Sequence, residues 1–214
     1  MTGDQLIDEG RRLARPCVYL RSTGEHLAGI WGGDGIIPCG DGPYRHWLSI
    51  GTQYIPDGRS KSPGCLSIYT NEDDCTTGIV AVDAERILPE ASEGLRLYAH
   101  PDSSLPPLEA VFKFGSSEVR RWLTSNNWEP EWGYNDNFPD RTATGIYERK
   151  YQRQLPLFSG DAYAVLGGWH MPWPEGDWDE MVEKQLIVWT FADSEPWVEA
   201  WRDDNNYNVI QRIT

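Results

Sequence analysis

The sequence predicts an α+β fold: a predominantly antiparallel β-sheet with an N-terminal helix and one or two further short helices packed on it. Three observations carry the prediction. Thr2 and Gln5 are spaced as a capping box at the head of an amphipathic stretch that Pro16 closes. Short runs rich in β-branched and aromatic residues recur along the chain, punctuated by Gly, Pro, Asp and Asn. Few segments between them carry a helical period.

In the first helix Leu6, Ile7, Gly10, Leu13 and Ala14 share a face, and Gly10 is expected to let the helix lie flat on a sheet. Strands are expected at Cys17–Arg21, His26–Trp31, His46–Tyr54, Cys65–Thr70, Thr77–Asp83 and Leu95–Ala99. The polar Asn71–Asp74 tetrad suggests a hairpin, which would set Cys65 nearly opposite Cys75 and within reach of a disulfide. Pro101–Leu108 has the most linker-like composition, so residues 1–214 read as a single α+β domain with a two-lobe division near 101–108 as the alternative.

Beyond it, Val111–Phe114 reads as a strand, and Ser116–Leu123 as a capped helix with Val119, Trp122 and Leu123 on one face and Asn126–Asn127 at its end. The last third reads as strands at Ile146–Leu155, Ala162–Trp169, Leu186–Phe191, Trp197–Arg202 and Tyr207–Ile213, with one short helix at Trp178–Lys184 capped by Asp177. The last two strands flank Asp203–Asn206 and should form a hairpin. No fixed-period repeat marks a solenoid or propeller.

Composition narrows the function classes. The formal net charge is −14, from 19 basic and 33 acidic residues. That balance opposes nucleic-acid binding, whose affinity rests on Lys and Arg releasing phosphate counterions, and it opposes anionic membranes. Residues 175–204 hold ten acidic residues against Lys184 and Arg202. The N-terminus lacks the basic region and apolar run of a secretory signal, and no stretch has the ~20 apolar residues of a membrane span, so a cytoplasmic location is expected. Cys17, Cys39, Cys65 and Cys75 show no Cys-x-x-Cys and are expected to be reduced, mostly buried thiols.

Chemical motifs are sparse. Gly29–Gly35 and Cys39–Gly42 offer backbone groups with Asp34 and Asp41 to an anion or a calcium ion, yet match neither a phosphate loop nor a calcium loop. Two tight turns are the ordinary reading. Cys39 and His46 form the nearest thiol–imidazole pair in sequence, in surroundings whose acidity favours the neutral thiol. His26, His46, His100 and His170 have no metal-ligand spacing, so no metal and no cofactor are expected. His170 lies among three tryptophans and four carboxylates in Gly167–Glu180, where an acid/base pair is conceivable and a hydrogen-bonded structural histidine is the commoner outcome.

Tryptophan is the compositional anomaly. Nine of the eleven lie between residues 122 and 201. Trp122 and Trp189 sit in core-like patterns. Trp128, Trp132, Tyr134, Trp173 and Trp178 fall in Pro-, Gly- and Asp-rich loops, where tryptophan folds back on its own core or meets a ligand. With Trp169, His170 and Asp177 they form the candidate surface, and catalytic residues are not assigned. The first functional expectation is a noncatalytic protein-interaction module with a basic partner. A small-ligand or carbohydrate-binding protein with Trp platforms is the alternative, and a hydrolase-type enzyme the second. In composition only, and with no alignable motif, the chain resembles the immunity proteins that neutralise bacterial nuclease toxins, or adaptors that hold basic partners; either resemblance implies a basic partner.

Overall fold

The computed structural model describes residues 1–33, 44–56, 64–71, 77–83, 93–126, 128, 141–154, 162–169, 185–190, 197–203 and 206–212. Helix α1 (Gly3–Arg12) opens on the expected box: the Thr2 hydroxyl accepts from Gln5 N–H, and the Gln5 side chain accepts from Thr2 N–H. Strands follow at β1 (Arg15–Arg21), β2 (Leu27–Trp31), β3 (Tyr44–Gly51), β4 (Gly64–Asn71), β5 (Thr77–Asp83) and β6 (Leu95–Ser104). Three helices come next, α2 (Leu108–Phe114), α3 (Ser117–Ser125) and α4 (Ala143–Gln152), then β7 (Ala162–Gly167), β8 (Gln185–Thr190), β9 (Trp197–Asp203) and β10 (Asn206–Arg212). The fold is α+β.

All ten strands join one sheet in the order β10-β9-β8-β7-β1-β6-β2-β3-β4-β5, with every pairing antiparallel. Two meanders, β2 to β5 and β7 to β10, therefore flank the central β1–β6 pair. The sheet curls until β5 and β10 approach each other. The β9–β10 hairpin has the expected register, with Asp203 opposite Asn206.

Strand β1 shows how the layers are built. Its residues 17–20 are all buried, and because side chains alternate across a strand they feed two cores. Cys17 and Tyr19 enter the helix side with Leu6, Leu108, Val111, Leu123, Tyr147 and Tyr151. Val18 and Leu20 enter the other with Leu48, Ile50, Leu66, Ile68 and Leu97. A strand covered on both faces carries a continuous apolar run, as Cys17–Leu20 does.

Several expectations are corrected. Ile146–Leu155 is not a strand: Thr142 caps a helix by accepting from Gly145 N–H, and Tyr147 and Tyr151, one turn apart, form its buried stripe. Val111–Phe114 belongs to α2, which begins after Pro107 and buries Leu108, Ala110 and Val111. Gly10 faces helix α4 instead of the sheet; a Cβ there would stand 2.5 Å from Tyr147 Oη. Cys65 is a free thiol that the β4–β5 register sets opposite Val82, and Cys75 lies outside the described residues. Residues 101–104 of the Pro-rich stretch pair with β1, and Leu105–Pro107 are buried. Helix α3 is as expected, with Ser116 accepting from Val119 N–H, Val119 and Leu123 buried, Trp122 half-buried and Asn126 at its end. The helix expected at Trp178–Lys184 and the side chain of Trp189 lie outside the described residues. No described helix is long and apolar enough to cross a membrane.

Candidate functional site

Two of the eight sequence candidates are described. Trp128 is half-buried against the helix-side core, its ring 5.5 Å from Phe112 and its backbone N–H donating to Leu123 O. Trp169 is 7% exposed. Its indole N–H donates to Leu13 O, its backbone N–H to Ser104 Oγ, and Arg15 stacks 3.5 Å over its ring. Trp169 thus satisfies the carbonyl at the end of α1, one of the helix-end groups that lack an intrahelical partner. Both tryptophans fold back on their own core. Trp132, Tyr134, His170, Trp173, Asp177 and Trp178 lie outside the described residues, as does Cys39.

A different constellation sits where β2 meets β3. Strand β2 ends at Trp31, and Gly32 and Gly33 follow with φ of 66° and 71°, a region that favours glycine. A Cβ on Gly33 would also stand 2.5 Å from Gly94 N. Gly32 N–H donates to Trp47 O at 2.8 Å. In β3 the register against β4 shifts between His46 and Leu48, so Trp47 is the extra residue of a bulge. Bulges re-aim side chains; here the Trp47 ring joins the core beneath the sheet and its indole N–H donates to Thr70 Oγ1 at 2.6 Å.

The result is a largely polar pocket edged by aromatic rings, with one cation, Arg45, among its described lining residues. Trp31 lies 6.4 Å from Trp47 at 59° and 6.5 Å from Tyr163 at 51°. The Arg45 guanidinium stacks 4.2 Å over the Trp47 ring. Tyr44 meets Tyr69 edge-on at 5.4 Å. Between the Trp31–Gly33 corner and residues Tyr44–Trp47 opens a pocket of about 410 Å³, within the range of small-molecule sites.

His46 holds the two walls together. Its Nδ1 is 3.0 Å from Gly32 O and its Nε2 2.8 Å from Ser49 Oγ. A carbonyl only accepts, so Nδ1 carries the proton and Nε2 accepts from the serine hydroxyl. Burial lowers the His46 pKa and keeps the ring neutral, although contacts with the Gly32, Gly33 and Leu48 backbone oppose that shift. The Ser49–His46 contact has the geometry of an activated nucleophile, and Ser49 Oγ also lies 3.4 Å from Ser67 Oγ. Ser49 is 4% exposed, Ser67 0%, and neither lines the pocket. The chain of hydroxyls orients His46 and presents no accessible nucleophile. Burial raises the Cys17 thiol pKa to about 12, aided by the Asp102 charge, and raises that of Cys65. Buried protonated thiols of this kind are unreactive.

The helix layer holds a second cluster absent from the sequence reading. Helix α4 buries Glu148 at 9% exposure while leaving Ile146 36% exposed, the reverse of ordinary amphipathic order. Burial and the nearby charge of Glu109 on α2 push Glu148 up to about 8; burial pushes Glu109 up to about 7, its own backbone N–H holding it back. Tyr151 is buried within electrostatic reach of both, its hydroxyl without a hydrogen-bond partner among the described residues. No group of three or more His, Cys, Asp and Glu able to hold a metal ion occurs among the described residues.

Compared with known proteins, the chain matches no family model, no curated protein and no solved structure.

Proposed function

We propose that the protein is a noncatalytic binder of a small polar ligand, held in the pocket between Trp31 and Tyr44–Trp47. The observation that carries this reading is the Arg45 guanidinium stacked 4.2 Å over Trp47 at a pocket of about 410 Å³. The pocket lining is mainly polar and holds a guanidinium oriented by a ring, which suits a small polar ligand. The concealment of Ser49 supports binding over turnover. The test is calorimetric titration with a panel of sugars, nucleosides, aromatic acids and amines against the wild type and Trp31→Ala. Saturable binding weakened at least ~10-fold in the variant supports the site; binding indifferent to Trp31→Ala, or none across the panel, rejects it.

The acidic C-terminal stretch favours a second reading, an interaction surface for a basic protein. Residues 175–204 carry ten acidic residues, Trp178, Trp189, Trp197 and Trp201 among them and Trp173 just before. An anionic field with tryptophan anchors speeds and secures capture of a cationic partner. Specific capture of one protein, weakened by moderate salt and by combining Trp173→Ala with Asp177→Asn, supports it. Capture unaffected by that pair, or failure to recover any partner at low salt, removes its basis.

A further inference from the structure

We infer that the ligand class of the Trp31–Trp47 pocket is a small anion bearing a flat apolar ring, its charge taken by Arg45 and its ring by Trp31. This inference rests on the binding reading above and deepens it.

The described lining residues include one cation, Arg45, and no aspartate or glutamate, in a chain of net charge −14. Two arginines of α1 are taken up by carboxylates, Arg11 by Asp8 at 2.8 Å and Arg12 by Glu9 at 2.6 Å. Arg45 has no carboxylate partner among the described residues; its recorded contact is the Trp47 ring. Stacking occupies the face of the guanidinium and leaves its N–H edge, a rigid fork that matches the two oxygens of a carboxylate or phosphate. Held in one orientation by the ring, the fork loses less rotamer freedom on binding than an unstacked side chain would.

His46 cannot take the anion in its place. Both ring nitrogens are engaged, by Gly32 O and by Ser49 Oγ, and burial keeps the imidazole neutral. Trp31 is half-buried at the rim beside Trp47, so a planar group would meet the exposed part of its ring at an otherwise mainly polar lining. A cationic ligand would meet Arg45 with no described lining carboxylate to offset the repulsion. Gly32 and Gly33, both at positive φ, form the wall opposite Tyr44–Trp47.

The test uses three ligands with one ring and different charge: 2-naphthoate, 2-naphthamide and protonated 2-naphthylmethylamine, each titrated calorimetrically at low ionic strength. Naphthoate should bind at least ~10-fold tighter than the amide, and the amine not at all. Arg45→Ala should reduce naphthoate to about the level of the amide; Arg45→Lys should restore part of the difference, because an ammonium keeps the charge and loses the fork. Arg45 is exposed, and an unshifted melting temperature for both variants will show that they fold. Amide or amine binding as tight as naphthoate, or naphthoate binding indifferent to Arg45→Ala, overturns the anion assignment. If binding of all three is lost in Trp31→Ala while Arg45→Ala changes nothing, the pocket stands and its ligand is not an anion. If none of the three binds, the flat-ring anion class is rejected, and the broader panel then decides whether the pocket binds at all.

Discussion

The Tyr147 ring of α4 occupies the space that a side chain at Gly10 of α1 would need. A Cβ at position 10 would stand 2.5 Å from Tyr147 Oη and 2.6 Å from Cε2. The ring has little freedom to yield, because its hydroxyl donates to Pro106 O at 2.8 Å and the side chain is 0% exposed. Helix propensity alone would make Gly10→Ala stabilising by about 1 kcal/mol. Overpacking costs about 1–3 kcal/mol and here sets the sign. Gly10→Ala should therefore lower stability by about 1–2 kcal/mol in urea denaturation. A stabilised variant would show that the two helices part easily.

Stability should depend on pH through Glu109 and Glu148. Unfolded, both titrate near the ordinary value of about 4.3; folded, at about 7 and about 8. Between those values the folded chain holds more protons than the unfolded one, so stability falls as pH rises. The contribution is fully present below the unfolded value, is lost as pH passes through 7 and 8, and levels off above. Glu148→Gln removes the titrating group while keeping its shape. Its stability relative to wild type should grow between pH 5 and pH 8.5, by a few kcal/mol, as read from urea midpoints at each pH. A difference independent of pH would mean that Glu148 is ionised or well paired throughout.

Trp169 should prove structural. Trp169→Phe keeps an aromatic ring but abandons Leu13 O and is expected to cost about 1–3 kcal/mol, and Trp169→Ala about 3–5 kcal/mol. Ligand titrations monitored by tryptophan emission should change little in amplitude in Trp169→Phe. A large loss of binding with unaltered stability would return Trp169 to the list of site residues.

The thiols give a further check. Cys17 and Cys65 are free and buried, with pKa values raised by desolvation. In the native state both should resist a thiol reagent at pH 8 and react promptly in denaturant without reductant. Peptide mapping that finds Cys65 bonded to Cys75 would contradict the β4–β5 register.

Much of the sheet was legible because its strands obey local rules. Thr77–Asp83 is bounded in the structure as its pattern implies, and the capping box at Thr2 and Gln5 forms as spaced. Helix α4 was not legible, since β-favouring Tyr147 and Tyr151 hide a helical stripe and buried Glu148 breaks its polarity. Tertiary burial decided its state. The pocket was missed for another reason: Trp31 and Trp47 are joined by pairing of β2 with β3 and re-aimed by a bulge that no composition announces. The available signal was the clustering of Tyr44, Arg45, His46 and Trp47 opposite a glycine corner. Sequence analysis placed weight instead on loop tryptophans, and Trp128 and Trp169 serve the core.

The position of β1 has a consequence for how the chain becomes a protein. On the ribosome this strand emerges before both of its partners, since Tyr19 pairs with His100 on one side and Val165 on the other. Until those distant partners are made, an apolar strand waits with both edges and both faces uncovered. Folding of this kind is slow and prone to trapping, because long loops must close before their contacts stabilise them. The nascent chain should therefore complete its tertiary structure only once β7 has been made, and depend on shielding of Cys17–Leu20 in the interval.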